Sequence, residues 1–124
     1  MDLAEVLAGA LTFETDADGS LTMNHGGTVA SLRTVAIADD LEMVSLTQVL
    51  AWDLPCNADL RKNVAAHANA TMLGTVALVD RPGKRADVML RYNFPAAGLS
   101  GSALQTLILM VLDTGVGVRR ALTG

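Results

Sequence analysis

Apolar residues near the C-terminus recur at the spacing of one helix face. Between residues 101 and 122 they follow the pattern i, i+3, i+4, i+7, i+11, i+14 and i+18, which predicts a helix whose apolar stripe packs on a sheet. Either Ser100, with a hydrophobic staple, or Ser102, with Gln105 three residues later, can cap its start. The stripe consists of Leu104, Leu107, Ile108, Val111, Gly115, Val118 and Leu122.

A second set of apolar residues in the same helix lies outside that stripe. A helix that is apolar nearly all round is covered on more than one side. In so short a chain we expect the second cover to be another copy of the chain or a bound peptide, and we predict a homodimer. Burial within a larger core of the same chain is the alternative. The predicted dimer interface consists of Ala103, Leu109, Met110, Leu112 and Val116.

The rest of the chain shows mostly strand periodicity, with two more helices. Apolar and polar residues alternate over 29–37 and over 41–54, and the β-branched and aromatic content of the second run favours a strand over a helix. A Pro-Gly turn at residues 82–83 predicts a hairpin. Helix caps are predicted at Asp2, which has Glu5 three residues later, and at Asn57.

Together these patterns predict one α+β domain over residues 1–124. The predicted order is α-β-β-β-α-β-β-α, with room for an extra N-terminal strand. Hydrophobic residues make up 51% of the chain with glycine left out of the count, whereas typical soluble domains reach roughly 45–50% with glycine included. This surplus of apolar surface supports the predicted self-association.

Charge and length exclude two classes of partner. The net charge is −4, the nine basic residues stand singly or in small groups, and only four residues are aromatic, so we expect no nucleic-acid binding. The longest apolar run, Leu107–Leu112, has six residues and is followed by Asp113 and Arg119, whereas a membrane span needs about 20 apolar residues. We therefore predict no membrane span.

The cysteine content and the first residues of the sequence indicate a cellular compartment. Cys56 is the single cysteine, so no intrachain disulfide can form, which favours a reducing compartment. The first ten residues begin with an acid and lack the basic region of a signal peptide. These features predict a cytoplasmic protein.

The acidic turn before Gly19 resembles the start of a calcium loop. Asp16 and Asp18 stand at ligand positions, but the twelfth position is His25, where such a loop requires a glutamate. Carboxylates and glycine are also what a tight turn requires. We therefore predict no metal site.

No pattern typical of catalysis is present either. Cys56 and His67 could pair as nucleophile and base, but no third group to orient them is evident. We predict no catalytic residue and no cofactor. The alternative function, a small enzyme or metabolite-binding domain with a pocket between sheet and helices, requires two or more candidate side chains to meet in one cleft. Those candidates are Asp16, Asp18, His25, Cys56, His67 and Asp87.

The C-terminal third of the chain resembles the YbjN family. The segments LRYNFP at 90–95 and GLS at 98–100, with the apolar helix after them, carry this resemblance. The order of the elements is similar to that of the class I type III secretion chaperones. The resemblance implies a two-layer sandwich of an antiparallel sheet with helices, a homodimer, and no enzymatic activity.

The same resemblance implies a role in binding proteins. Members of these groups are described as regulators of sensory transduction or stress, or as chaperones that hold client segments in hydrophobic grooves. We therefore predict a non-catalytic protein-binding module with a possible client protein or peptide. Leu3, Val6 and Leu7 of the first predicted helix are the candidate client-binding residues.

Overall fold

The structure is a computed structural model, and it describes residues 2–123. The chain forms an α+β fold with one six-stranded antiparallel sheet, in the strand order β1-β2-β3-β4-β6-β5, and three helices. The predicted order is confirmed, and β1 is the extra N-terminal strand, reduced to two residues. The elements are α1 (Leu3–Leu7), β1 (Glu14–Thr15), β2 (Leu21–His25), β3 (Thr28–Ala38), β4 (Leu41–Pro55), α2 (Ala58–Ala70), β5 (Thr75–Arg81), β6 (Arg85–Pro95) and α3 (Gly101–Thr123).

Each helix begins at a side-chain cap that satisfies a free backbone N–H group. The carboxylate of Asp2 accepts a hydrogen bond from the backbone N–H of residue 5 at 3.3 Å. Asn57 Oδ1 accepts one from the N–H of residue 60 at 2.9 Å. Of the two serines that compete for α3, Ser100 is the cap, because its Oγ accepts from the N–H of residue 103 at 3.1 Å.

The two faces of the sheet differ in what covers them. α3 contacts β3 and β4, α2 contacts β5, and both α1 and α2 contact α3. On β4 the side chains toward the helices are fully buried, and two of them pair with the equally buried Ala30 and Leu32 of β3. The core therefore lies between one sheet face and the helices, in a two-layer sandwich. These buried β4 residues are Val44, Leu46, Gln48 and Leu50.

The predicted stripe of α3 does face the sheet, but the buried part of the helix is wider than the stripe. Leu112 is fully buried and Val116 is 7% exposed, so the prediction that these two lie on an outer interface is wrong. Val116 is covered by the turn between β2 and β3, where a Cβ on Gly26 would lie 2.7 Å from it. Leu112 packs above β4, where its carbonyl accepts a hydrogen bond from Gln48 at 3.1 Å.

The client-binding residues predicted on α1 are also misplaced. Leu3 and Leu7 are buried in the core and Val6 is half-buried, so the prediction that they form an exposed binding patch is wrong. The reason is that α1 docks on α3, where Gln105 Nε2 donates a hydrogen bond to the carbonyl of Val6 at 2.9 Å. A five-residue helix of this kind buries its apolar side against a longer neighbour.

Within residues 2–123, α3 is the helix that has the length and composition to cross a membrane. Those two properties do not distinguish a membrane span from the core helix of a soluble protein. In this fold seven residues of α3 are buried, including Leu104, Ile108 and Val111, which belong to the predicted stripe. Packing within the fold thus accounts for the buried part of its apolar surface.

Candidate protein-binding surfaces

The polar residues considered for catalysis lie in separate places. His25 Nε2 lies 2.9 Å from Asp113 Oδ1, at the turn between β2 and β3. Cys56 Sγ lies 3.9 Å from Asp80 Oδ1, after the end of β4, and His67 lies within α2. Among the residues that the structure describes, no group of three or more His, Cys, Asp or Glu side chains is placed to hold a metal ion.

Asp16 and Asp18 do meet, in an exposed turn and not in a pocket between sheet and helices. Ser20 Oγ donates to Asp16 at 3.0 Å and to Asp18 at 2.6 Å, and Thr22 Oγ1 donates to Asp16 at 2.7 Å. The hydrogen bonds from the side chain and backbone of Ser20, with a smaller effect of Arg33, hold the pKa of Asp18 below its ordinary value of 3.8. Both carboxylates therefore stabilise the turn through these hydrogen bonds.

Asp87 is buried and stabilises a bend in β4. Its Oδ1 accepts a hydrogen bond from the N–H of Asp53 at 2.8 Å, and Asp53 has a φ of 52°, a left-handed conformation that non-glycine residues rarely adopt. Arg81 lies 3.4 Å from Asp87 Oδ2, and Arg85 pairs with Asp53 at 3.1 Å. Apart from His67, the candidate residues of the predicted catalytic cleft are thus engaged in four different structural contacts.

The face of the sheet away from the helices carries two apolar rows. Each row runs across neighbouring strands, because paired residues in an antiparallel sheet point to the same side. One row joins Val29, Val49, Met89 and Ala77, and the other joins Val35, Met43 and Pro95. We call this surface the open face. Ala77 and Pro95 are exposed and the other side chains of the two rows are half-buried, and within residues 2–123 the helices pack on the opposite face of the sheet.

Polar rows separate the apolar rows of the open face. They include two exposed arginines, Arg33 and Arg91, and within residues 2–123 neither forms an ion pair shorter than 4 Å. Trp52, further along β4, is 44% exposed. The open face therefore combines apolar rows with positive charge, although the chain as a whole is acidic.

A second apolar surface lies where the loop after α2 meets α3. Met72 is 95% exposed and Met110 is 53% exposed. They line a surface cleft of about 510 Å³ together with Leu73 and Thr114, and we call it the methionine cleft. Sequence periodicity did not identify Met72, because it lies in a loop between two elements. The sequence signal that could have identified Met72 is a large apolar residue in a short loop.

The outward side of α3 is narrower and more polar than the sequence predicted. Of the five predicted interface residues, Ala103 and Met110 are exposed and Leu109 is half-buried, so these three stay candidates. Six of its exposed positions follow a spacing of three and four residues along the helix. We call them the outer stripe: Ala103, Thr106, Met110, Asp113, Gly117 and Arg120.

Two glycines of α3 lie on opposite sides of the helix. Gly115 is buried against Gln48, and a Cβ there would clash with Gln48 Oε1. Gln48 Nε2 donates to Thr28 and to the carbonyl of Leu112, which holds the amide in this position. Gly117 is exposed, and a Cβ there would meet nothing within 4 Å. The fold thus requires a glycine at 115 but not at 117.

Comparison with known proteins reveals the fold but no sequence family. No protein-family model matches the chain. No curated protein matches it by sequence either. Similar solved structures include two that are described next, at sequence identities that show a shared fold alone. The resemblance inferred from the sequence is thereby confirmed at the level of architecture.

The first is the crystal structure of YbjN from E. coli, a candidate transcription regulator, with a TM-score of 0.65 and 10% identity over 94% of this chain and 85% of that one. The second is the Yersinia pestis type III secretion chaperone SycH in complex with a stable fragment of YscM2. It has a TM-score of 0.56 and 15% identity, over 94% of this chain and 95% of that one. Both share the α+β arrangement of an antiparallel sheet with helices.

Proposed function

We propose that this chain is a non-catalytic protein-binding module, chaperone-like or regulatory, that acts as a cytoplasmic homodimer. The observation that carries the proposal is the open face, a broad surface with two apolar rows that the helices of its own chain leave uncovered. Apolar surface bordered by polar residues is typical of sites that bind other proteins. The free cysteine Cys56 is in keeping with a reducing compartment.

The open face favours a client of a particular chemistry. Apolar side chains of a client segment can pack along the row of Val29, Val49 and Met89, with its carboxylates near Arg33 and Arg91. Such charge complementarity adds specificity and speeds association more than it adds affinity. We therefore expect an apolar segment that carries acidic residues.

The similar structures support this proposal in a general way. SycH was crystallised with a protein fragment, so a chain of this architecture can hold a segment of another protein. YbjN is described as a candidate regulator. Because the identities are 10% and 15%, these likenesses give no client for this chain.

Site-specific photo-crosslinking tests the client proposal. A benzophenone amino acid placed at Met89 on the open face, in cells of the source organism, should yield a discrete adduct heavier than a crosslinked dimer. The same group at Lys62, exposed on α2, is the matched control and should yield none. Val49→Asp, which puts a charge in the same apolar row, should remove the adduct while circular dichroism shows an unchanged fold.

The proposal would be contradicted if Met89 gave no adduct or only a self-adduct. It would equally be contradicted if the Lys62 position gave the same adduct as Met89, since binding would then not involve the open face.

A further inference from the structure

The outer stripe of α3 has a composition that the fold of a single chain does not explain. Gly117 lies in the interior of an exposed helix face, where glycine is unfavourable relative to alanine, and a Cβ there would meet nothing within 4 Å. Two residues earlier, Gly115 is explained by its contact with Gln48. Close approach by a group from outside the chain would explain Gly117.

The charges on the outer stripe are complementary to themselves. Asp113 and Arg120 lie on either side of Gly117 along the helix and have opposite sign. Within residues 2–123 Arg120 forms no ion pair shorter than 4 Å, and Asp113 uses Oδ1 for His25 while no hydrogen bond to its Oδ2 is seen. A surface with this arrangement matches a second copy of itself in the antiparallel direction.

We propose that two copies of this chain pair through the outer stripes of their α3 helices, antiparallel and crossing at the level of residue 115. This inference rests on the homodimer proposed above and names the surface that forms it. At this crossing Gly117 of each copy faces Asp113 of the other. Arg120 lies over Met110 of the other copy, with its aliphatic part on the methionine.

The spacing along the helix lets the charges meet. Arg120 of one copy lies level with Met110 of the other, and Asp113 is three residues from Met110, roughly 4.5 Å along the axis. A guanidinium group on its flexible stem can span that distance and form an ion pair. The absence of a side chain at Gly117 leaves room for Asp113 beside it. The pair occurs twice, because a two-fold axis repeats every contact.

The methionine cleft extends this interface on one side. Met72 and Met110 line it together, and both are exposed large hydrophobic residues. Methionine adapts its shape to a partner surface, which suits it to packing against the last turn of the other α3 helix.

Sedimentation equilibrium on the purified full chain at micromolar concentration tests this interface. Wild type should be a dimer. Arg120→Glu and Asp113→Arg should each raise the dimer dissociation constant at least about ten-fold, because each places like charges opposite one another. The double variant D113R/R120E should restore dimerisation to within about three-fold of wild type. Lys62→Glu, the same change of charge on α2, should leave the dissociation constant unchanged.

Gly117→Leu provides a test that does not depend on charge or on the contact with His25. It should also dissociate the dimer, while circular dichroism shows a folded monomer, because the position is exposed and a Cβ there would meet nothing within 4 Å in its own chain. If the Gly117→Leu and Arg120→Glu variants both remained dimers, this interface would be overturned, but the proposed homodimer would not. Dissociation by the single variants without restoration in the double variant would overturn the proposed pairing. A monomeric wild type would overturn the homodimer too, while the client proposal keeps its own test by crosslinking.

Discussion

The two sides of α3 carry the same residue types, although one side packs in the core and the other is exposed. Gly115 and Gly117 are two positions apart, yet one is enclosed by the amide of Gln48 and the other faces open space. Leu112 and Met110 are likewise two positions apart, one fully buried and the other 53% exposed. Neither a glycine nor a large apolar residue therefore reveals by its identity which side of the helix it occupies.

The largest effect should come from placing a charge on the inner side. Leu112→Asp buries a carboxylate without a partner and should lower the free energy of unfolding by about 4 kcal/mol or more. Met110→Asp leaves its charge in water and should change the stability of the monomer by less than about 1 kcal/mol. Urea denaturation followed by circular dichroism measures both. Equal destabilisation by the two would mean that the outer side is also core.

The two glycines should respond to alanine with opposite sign. Gly115→Ala forces a methyl group against Gln48 and should cost about 3 kcal/mol through overpacking and disturbed hydrogen bonds. Gly117→Ala should stabilise the helix by up to about 1 kcal/mol. Both are measured in an Arg120→Glu background, so that dissociation of a dimer does not contribute to the unfolding free energy.

A double-mutant cycle tests whether Gln48 is the cause of the destabilisation by Gly115→Ala. With Gln48→Ala in place, the methyl of Gly115→Ala has space, and most of its cost should disappear, which gives a coupling energy of at least about 1 kcal/mol. If Gly115→Ala were equally costly in both backgrounds, the close approach of Gln48 would not be the reason for the glycine.

The smallest effect should come from removing the exposed contact between Asp113 and His25. Asp113→Ala removes the contact with His25, but the Asp113 side chain is 73% exposed, and exposed pairs contribute about 0–1 kcal/mol. We expect a loss of less than about 1 kcal/mol in the Arg120→Glu background, by the same urea titration. A loss as large as that of Gly115→Ala would show that the hairpin turn at His25 depends on this contact.

The candidate surfaces were only partly predictable from the sequence. Met110, Leu109 and Ala103 were identified because they fall outside the apolar stripe, and they remain on or near the outer side. Leu3 and Leu7 were assigned to a binding patch because an isolated helix offers no partner for them, yet they are buried because α1 docks on α3. The open face depends on strand register, which pairs residues far apart in the chain.

The sequence by itself determined the elements and their order. The caps at Asp2 and Asn57, the Pro-Gly turn and the strand periodicities are local signals, and each acts within a few residues of chain. Only the tertiary structure decided which side of α3 is outside. Leu112 and Val116 are buried because Gln48 and the turn at Gly26 reach the helix from distant parts of the chain. Periodicity describes the geometry of one helix, whereas burial depends on everything that packs around it.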